Sequence, residues 1–122
     1  MSIRRSVFIV DDDPSVRTSL SRLLRAHGFV ATLFESAGSL LDCGGFERAI
    51  CIVLDINLDE RSGIDLRRSL TERGVTAPVI YITGNDSPAN RSAAIASGCV
   101  AYLTKPFSAE ALIERVTRAA AA

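Results

Sequence analysis

The sequence lacks the features that would place it in a membrane or in an oxidised compartment. No apolar run reaches membrane-spanning length, and Met1 to Arg5 lead straight into the first apolar run without the core of a signal peptide. There are only three cysteines, without Cys-x-x-Cys spacing, which argues against a disulfide or zinc framework. The formal net charge is zero, so no general attraction to nucleic acid or to an anionic membrane is expected. These absences predict a soluble cytoplasmic domain that binds neither membrane nor nucleic acid directly.

Apolar runs of strand length alternate with helical patterns along the 122 residues. No linker or internal repeat interrupts them, so residues 1–122 are expected to form one domain. The alternation predicts an α/β fold, a doubly wound sheet of parallel strands with helices on both faces. The predicted helices begin near residues 14, 36, 63, 87 and 108, and the predicted strands are Ser6–Val10, Phe29–Phe34, Ile50–Leu54, Val79–Ile82 and Val100–Leu103.

The third of these strands, Ile50–Leu54, runs directly into Asp55. Its side chains are apolar without alternation, which is typical of a strand buried on both faces. An unpaired carboxylate is costly to bury, so Asp55 is expected where the sheet meets water, at the carboxyl edge of a central parallel strand. Open α/β sheets bind their ligands at that edge.

Four of the five predicted strands end in a residue suited to phosphate or metal chemistry. Because parallel strands end at one edge of a sheet, these residues are expected to converge. Each has an ordinary alternative: the acids after strand one as a turn with Asp13 as a helix cap, the threonine as a strand end, the lysine as a surface residue. Adjacent carboxylates nevertheless repel unless a cation offsets them, and hard oxygen ligands suit magnesium. The converging residues are Asp11 and Asp12, Asp55, Thr83, and Thr104-Lys105.

Taken in order and at these spacings, the motifs resemble the receiver domain of bacterial two-component response regulators. The resemblance covers essentially the whole chain and implies a CheY-like, flavodoxin-like sheet of five parallel strands in the order 2-1-3-4-5, with five helices. Its later motifs look most like FixJ- and NarL-type receivers, which precede helix-turn-helix output domains. The motifs are Val10-Asp11-Asp12, Asp55 with Ser62-Gly63, Ile82-Thr83-Gly84 and Lys105-Pro106-Phe107.

The resemblance implies that Asp55 takes a phosphoryl group from a sensor histidine kinase or a phosphotransfer protein. The cofactor would be Mg²⁺ (or Mn²⁺), held by Asp11, Asp12, Asp55 and the backbone carbonyl of Asn57. Thr83 and Lys105 would bind the phosphoryl group, Tyr102 would be the switch aromatic, and Pro106 would follow a cis peptide bond. Asn57 and Asn85 would tune dephosphorylation.

The family also implies an output. Phosphorylation would change the surface of the fourth helix, fifth strand and fifth helix, control a downstream process such as transcription, and favour a homodimer through that surface. The activity would be limited to magnesium-dependent self-phosphorylation and autodephosphorylation, so no other enzyme activity is expected. Carboxylates are known covalent nucleophiles for phosphoryl groups, and phosphoryl transfer depends mainly on positioning and charge neutralisation.

Three alternatives compete with this interpretation. An aspartyl-nucleophile phosphohydrolase typically has a second acid two residues after the nucleophile, where this chain has Asn57. A flavin-binding domain would need a phosphate-cradling loop after strand one, where this chain has carboxylates. A degenerate receiver would serve as an unphosphorylated binding module, although Asp12, Asp55, Thr83 and Lys105 are all present.

One departure from the family pattern follows the candidate phosphoacceptor. Many receivers have a proline four residues after that aspartate, and here the residue is Asp59, followed by Glu60 and Arg61. The added acids are expected to affect the rate of transfer from an anionic donor, unless Arg61 pairs with one of them.

Overall fold

The centre of the sheet is β3 (Ala49–Asp55), every residue of which is buried. The structure, a computed structural model, describes residues 5–59 and 61–121. Within these residues β3 lies between β1 (Ser6–Val10) and β4 (Val79–Thr83), with β2 (Ala31–Phe34) and β5 (Ala101–Thr104) at the edges. All neighbouring strands are parallel, in the order β2-β1-β3-β4-β5. The predicted fold class and strand order are confirmed.

The helices cover both faces of the sheet and define two apolar layers. Leu20 and Leu24 of α1, with Leu112 and Val116 of α5, are buried against one face. The other face is covered by α2, α3 and α4, the last through Ala94. The helices are α1 (Pro14–Ala26), α2 (Ala37–Cys43), α3 (Gly63–Glu72), α4 (Pro88–Ala96) and α5 (Ala109–Ala121).

Helix starts agree with the capping residues in the sequence. Asp13 accepts from the Ser15 amide at 2.9 Å, and Pro14 occupies the first turn of α1, where its missing N–H costs nothing. Ser36 and Ser87 cap α2 and α4 in the same way, each accepting from the amide three residues on. The predicted role of Asp13 as a helix cap is confirmed.

Several sequence-based boundaries differ from the structure by one or two residues, and one element was not predicted. β3 extends one residue further at each end, to Ala49 and Asp55, and β4 and β5 each end one residue later, at Thr83 and Thr104. β2 begins at Ala31 rather than Phe29, because the Phe29 amide still bonds the Leu24 carbonyl as the chain leaves α1. β5 begins at Ala101 rather than Val100, which is 52% exposed. A 3₁₀ turn at Phe46–Arg48, which the sequence analysis did not predict, follows Gly45 in the left-handed region (φ 67°). None of these differences moves a residue of the candidate site.

No helix within residues 5–59 and 61–121 combines the length and apolarity needed to cross a bilayer.

Candidate functional site

The carboxyl edge of the sheet brings the predicted residues together. Asp11 follows β1, Asp55 ends β3, Thr83 ends β4 and Lys105 follows β5. Asp11 and Thr83 are 0% exposed and Asp55 is 5% exposed, although all three are polar. Buried polar side chains are stable only where they have hydrogen-bond or ion-pair partners, so these residues are expected to contact one another.

Lys105 bridges the two buried carboxylates. Its Nζ lies 3.0 Å from Asp11 Oδ2 and 3.0 Å from Asp55 Oδ2. The second oxygens accept backbone amides: Asp11 Oδ1 from Asp13 and Asp55 Oδ1 from Asn57, each at 2.9 Å. Both carboxylates are therefore held with one oxygen against the backbone and the other at the ammonium group.

The three aspartates form the one cluster in the described part of the chain whose oxygens could share a metal ion. One carboxylate oxygen each from Asp11, Asp12 and Asp55 lies within 4.8 Å of the others. A single ammonium does not balance three carboxylates, and hard oxygen donors are the ligands that Mg²⁺ and Mn²⁺ prefer. The donor set therefore fits such a cation. The family resemblance implies that the backbone carbonyl of Asn57 is a further ligand. Asn57 follows Asp55 by two residues and is exposed at the same edge of the sheet.

The electrostatics of the cluster follow from burial and from these contacts. Burial raises the pKa of Asp55, and although the Asn57 amide and Lys105 oppose this, the Asp11 charge reinforces it. Burial alone would lower the pKa of Lys105, but the hydrogen bonds to Asp11 and Asp55 outweigh it and the pKa of Lys105 rises. Lys105 is thus held as a cation beside a carboxylate whose charge the site disfavours.

Thr83 is held by the β3–α3 connection. Its Oγ1 donates to the side-chain carbonyl of Asn57 at 2.8 Å and accepts from the Asn85 amide at 3.0 Å. A hydroxyl has a single proton, so its donor capacity is used by Asn57. Asn57 therefore contacts Thr83 through its side chain, and Asn85 contacts Thr83 through its backbone amide.

The Ser62-Gly63 motif has a steric explanation. Gly63 opens α3 directly against β3, and a Cβ at this position would collide with the carbonyl oxygen of Asp55. The Gly63 amide donates to the Ile56 carbonyl at 2.8 Å, and Ser62 forms an antiparallel bridge with Asn57. The loop carrying Asn57 is closed by these contacts, so the glycine is needed for the close approach of α3 to the candidate phosphoacceptor.

Of the three residues that depart from the family pattern after Asp55, the structure describes Asp59 and Arg61. Glu60 lies outside the described residues, and Asp59 is exposed on the rim of a groove beside Asn57. The guanidinium of Arg61 turns toward α3, where it donates to the Asp65 carbonyl at 3.0 Å and to Ser69 Oγ at 2.6 Å.

Tyr102 lies next to two residues that the sequence analysis did not single out. Its hydroxyl donates to Asp86 Oδ1 at 3.0 Å, and the guanidinium of Arg91 lies 4.8 Å from the centre of its ring. Arg91 also donates to Asp86 Oδ2 at 2.9 Å. The only local signal was Asp86 five residues before Arg91 at the start of α4. The peptide bond between Lys105 and Pro106 is cis.

The sequence matches the family described as "Response regulator receiver domain" over residues 7–117. The chain belongs to this family. A response regulator receiver is a signalling phosphoacceptor of two-component systems, so the resemblance stated from the motifs is confirmed at the level of the family.

Relatives and solved structures agree with this assignment. The chain is 38% identical over 120 residues to the response regulator protein TodT of Pseudomonas putida, covering 98% of this chain and 53% of that protein. It is 36% identical over 113 residues to TmoT of Ectopseudomonas mendocina, covering 93% and 51%. The crystal structure of FixJ-N superposes with a TM-score of 0.87 at 30% identity, covering 98% of this chain and 96% of that one. This receiver chain spans about half the length of the curated relatives it matches.

Proposed function

We propose that Asp55 accepts a phosphoryl group from the phosphohistidine of a sensor histidine kinase or a phosphotransfer protein. A carboxylate oxygen of Asp55 would form the new O–P bond as the P–N bond to the donor histidine breaks, which leaves an acyl phosphate and a free imidazole. The observation that carries this proposal is the placement of Asp55: at the end of the central strand, 5% exposed, with Oδ2 at 3.0 Å from Lys105 Nζ.

A divalent cation is part of the proposal, because the donor set fits one. Asp11, Asp12 and Asp55 would hold Mg²⁺ or Mn²⁺ together with the backbone carbonyl of Asn57. When bound, the cation would supply positive charge to the oxygens of the transferring phosphoryl group.

The chain's own residues supply the remaining neutralisation and positioning. Lys105 Nζ already lies 3.0 Å from Asp55 Oδ2 and stays protonated. Its ammonium would therefore form an ion pair with the phosphoryl oxygens as negative charge shifts onto them. Thr83 would turn its hydroxyl proton from Asn57 to a phosphoryl oxygen. No general base is needed, since phosphoryl transfer to a carboxylate removes no proton from the nucleophile.

Signal output would follow from the movement of Thr83. Space vacated beside Thr83 would be filled by Tyr102, which changes the surface formed by α4, β5 and α5. That surface would recruit a partner or a second receiver as a homodimer. Exposed apolar side chains at Ile95 (66%) and Val100 (52%) support this proposal.

We further propose that residues 1–122 act as the receiver unit of a cytoplasmic regulator. One relative, 34% identical over 116 residues, is the transcriptional regulatory protein TdiR of Thauera aromatica, which supports transcription as the output. The receiver itself would not bind nucleic acid. Self-phosphorylation and autodephosphorylation would be its only chemistry, the latter tuned by Asn57 and Asn85 at the rim of the site.

A receiver that works as an unphosphorylated binding module is the second candidate, and incubation with acetyl phosphate and Mg²⁺ followed by intact mass measurement distinguishes the two. We expect one added phosphoryl group on the parent protein and none on Asp55→Asn. Asp65→Asn, which changes an exposed acid on α3, is the matched control and should label like the parent. Full labelling of Asp55→Asn would contradict the assignment, and no labelling of the parent would favour the binding module.

A further inference from the structure

Tyr102 is held in place by two residues of the β4–α4 segment. Asp86 accepts the Tyr102 hydroxyl at 3.0 Å through Oδ1 and Arg91 Nη2 at 2.9 Å through Oδ2. The Arg91 guanidinium lies over the Tyr102 ring, 4.8 Å from its centre, at cation–π distance. Both the polar tip and one face of the ring are thus occupied by side chains that belong to the start of α4.

From this arrangement we infer that Asp86 and Arg91 are positioning residues that hold Tyr102 in its resting position and so oppose the switch. We call Asp86, Arg91 and Tyr102 the Tyr102 latch. The inference rests on the proposed function, in which Tyr102 moves on phosphorylation, and it assigns the regulation of that movement to two residues outside the phosphorylation site.

The latch is connected to the site through a short hydrogen-bonded segment. The Asn85 amide donates to Thr83 Oγ1 at 3.0 Å, and Asn90 Nδ2 of α4 donates to the Asn85 carbonyl at 2.9 Å. Asp86 is the next residue after Asn85. A displacement of the Thr83 hydroxyl toward a phosphoryl group therefore pulls on the residue that precedes Asp86, and the latch opens.

The latch matters because α4 buries little apolar surface. Ala94 is the one described residue of α4 that is buried, whereas α1 buries both Leu20 and Leu24. The apolar contact of a single alanine is small, so polar contacts carry a large share of the attachment of α4: the latch at its start and the hydrogen bond between Tyr81 and Ser97 (2.7 Å) at its end. The Asp86–Arg91 pair is half exposed, and together with one hydrogen bond and one cation–π contact it should shift the opening equilibrium on the order of five- to tenfold.

Amide hydrogen exchange without any ligand tests the latch directly. In Asp86→Ala and in Arg91→Met, each of which removes two of the three contacts, we expect the amides from Thr83 to Ser97 to exchange several-fold faster than in the parent, by no more than the roughly five- to tenfold shift estimated above for all three contacts. The amides of α1 should not change, because the opening is local; a variant that was globally destabilised would speed up both. Glu114→Ala, which breaks the exposed Arg118–Glu114 pair (2.7 Å) on α5, is the matched control and should leave the exchange of residues 83–97 unchanged.

Conservative variants separate the contacts. Tyr102→Phe keeps the ring beneath Arg91 but loses the hydroxyl, and Asp86→Asn keeps an oxygen acceptor for Tyr102 but loses the ion pair, so each should show part of the Asp86→Ala effect. The double variant Asp86→Ala/Tyr102→Phe should exchange no faster than Asp86→Ala alone, because both remove the same hydrogen bond. Fully additive effects, or parental exchange in Asp86→Ala, would overturn the latch.

A second measurement connects the latch to signalling. With Mg²⁺ and the phosphoryl mimic beryllium fluoride, the affinity of Asp86→Ala should exceed that of the parent by the same factor as its exchange rate, because less of the binding free energy is used to open the latch. A parent that does not bind the mimic would overturn the proposed function, while the ligand-free exchange would still decide the latch.

Discussion

The hydroxyl of Thr83 donates its single proton to the side-chain carbonyl of Asn57, 2.8 Å away. Thr83 is 0% exposed, so water cannot supply a second acceptor, whereas Asn57 lies at the exposed rim of the site. A phosphoryl group on Asp55 would compete with Asn57 for this proton. Asn57 thus stabilises the unphosphorylated position of Thr83, in addition to the role in dephosphorylation that we propose for it.

Removing this competitor should favour the phosphorylated arrangement. We expect Asn57→Ala to bind beryllium fluoride with Mg²⁺ several-fold more tightly than the parent, since one hydrogen bond is worth roughly 0.5–1.5 kcal/mol, or about two- to tenfold. The backbone carbonyl of Asn57 remains available to the cation. Titration followed by NMR of the Thr83 amide provides the measurement.

Asn85→Ala is the control, because Asn85 contacts Thr83 through its backbone amide and the substitution keeps that contact. Equal affinities of Asn57→Ala and the parent would mean that the Thr83 hydroxyl is not held by Asn57 in solution.

The carboxylate cluster makes a separate prediction about metal binding. Asp11, Asp12 and Asp55 repel one another, and a cation that binds only the folded arrangement stabilises it. At a concentration of about one hundred times its dissociation constant, Mg²⁺ should raise the free energy of unfolding by about 2.7 kcal/mol. Asp12→Ala should lose most of this increase, and in EDTA it should be at least as stable as the parent because repulsion is relieved.

Thermal unfolding with Mg²⁺ and with EDTA measures this response. The control is Asp65→Ala on α3, whose side chain is exposed and is not part of the cluster, and which should respond like the parent. A thermal shift in Asp12→Ala equal to that of the parent would argue against a metal site at these residues.

The elements that bear the site could be predicted from the sequence because their signals are local. The unbroken apolar run of β3 indicated a central strand, and the strand-end acids and Lys105 were expected to meet because parallel strands share an edge. The bond between Asn57 and Thr83 was not predictable. It joins residues 26 apart and depends on how the loop after β3 folds, for which the sequence has no periodic pattern.

The Tyr102 latch shows the same limit. Asp86 and Tyr102 are 16 residues apart, and their contact depends on the register of β4 with β5, in which Tyr81 pairs with Tyr102. Without that register, Asp86 looked like any polar residue before a helix cap. Similarly, β2 was predicted two residues too early because Phe29 continues the apolar run, although its amide belongs to the end of α1.

The raised pKa of Asp55 predicts how stability depends on pH. Because burial disfavours the charged form, the folded protein keeps the Asp55 proton to higher pH than the unfolded chain does. This contribution is therefore favourable below the ordinary pKa of an aspartate and is lost as the pH rises from there through the raised value. In EDTA, Asp55→Asn should be more stable than the parent at neutral pH, and the difference should shrink as the solution is acidified.

Urea unfolding of parent and variant from acidic to neutral pH measures the difference. Asn at position 55 can still accept the Asn57 amide, and Lys105 keeps its contact with Asp11, so the comparison isolates the carboxylate charge. Two profiles that run parallel over the whole pH range would contradict the raised pKa.

The last prediction concerns a guanidinium beneath α4. Arg67 of α3 lines a groove of about 430 Å³ together with Ile64, Ala93 and Ser97, and its Nε and Nη1 atoms are buried without a hydrogen-bond partner among the described residues. Leaving such donors unpaired costs about 1–3 kcal/mol. Arg67→Met keeps much of the apolar stem and removes the donors, so we expect it to raise the free energy of unfolding by about 1 kcal/mol.

Arg68→Met is the matched control. The Arg68 side chain is 71% exposed, and its one ion pair, with Asp65, is long at 3.8 Å. Its removal should therefore change the free energy of unfolding by less than about 0.5 kcal/mol. Denaturant unfolding provides both values. In Arg67→Met the hydrogen exchange of the α4 amides should also slow, because the groove between α3 and α4 no longer contains the unpaired donors. If Arg67→Met instead unfolds more readily than the parent, the guanidinium is paired in solution and supports α4 rather than weakening its attachment.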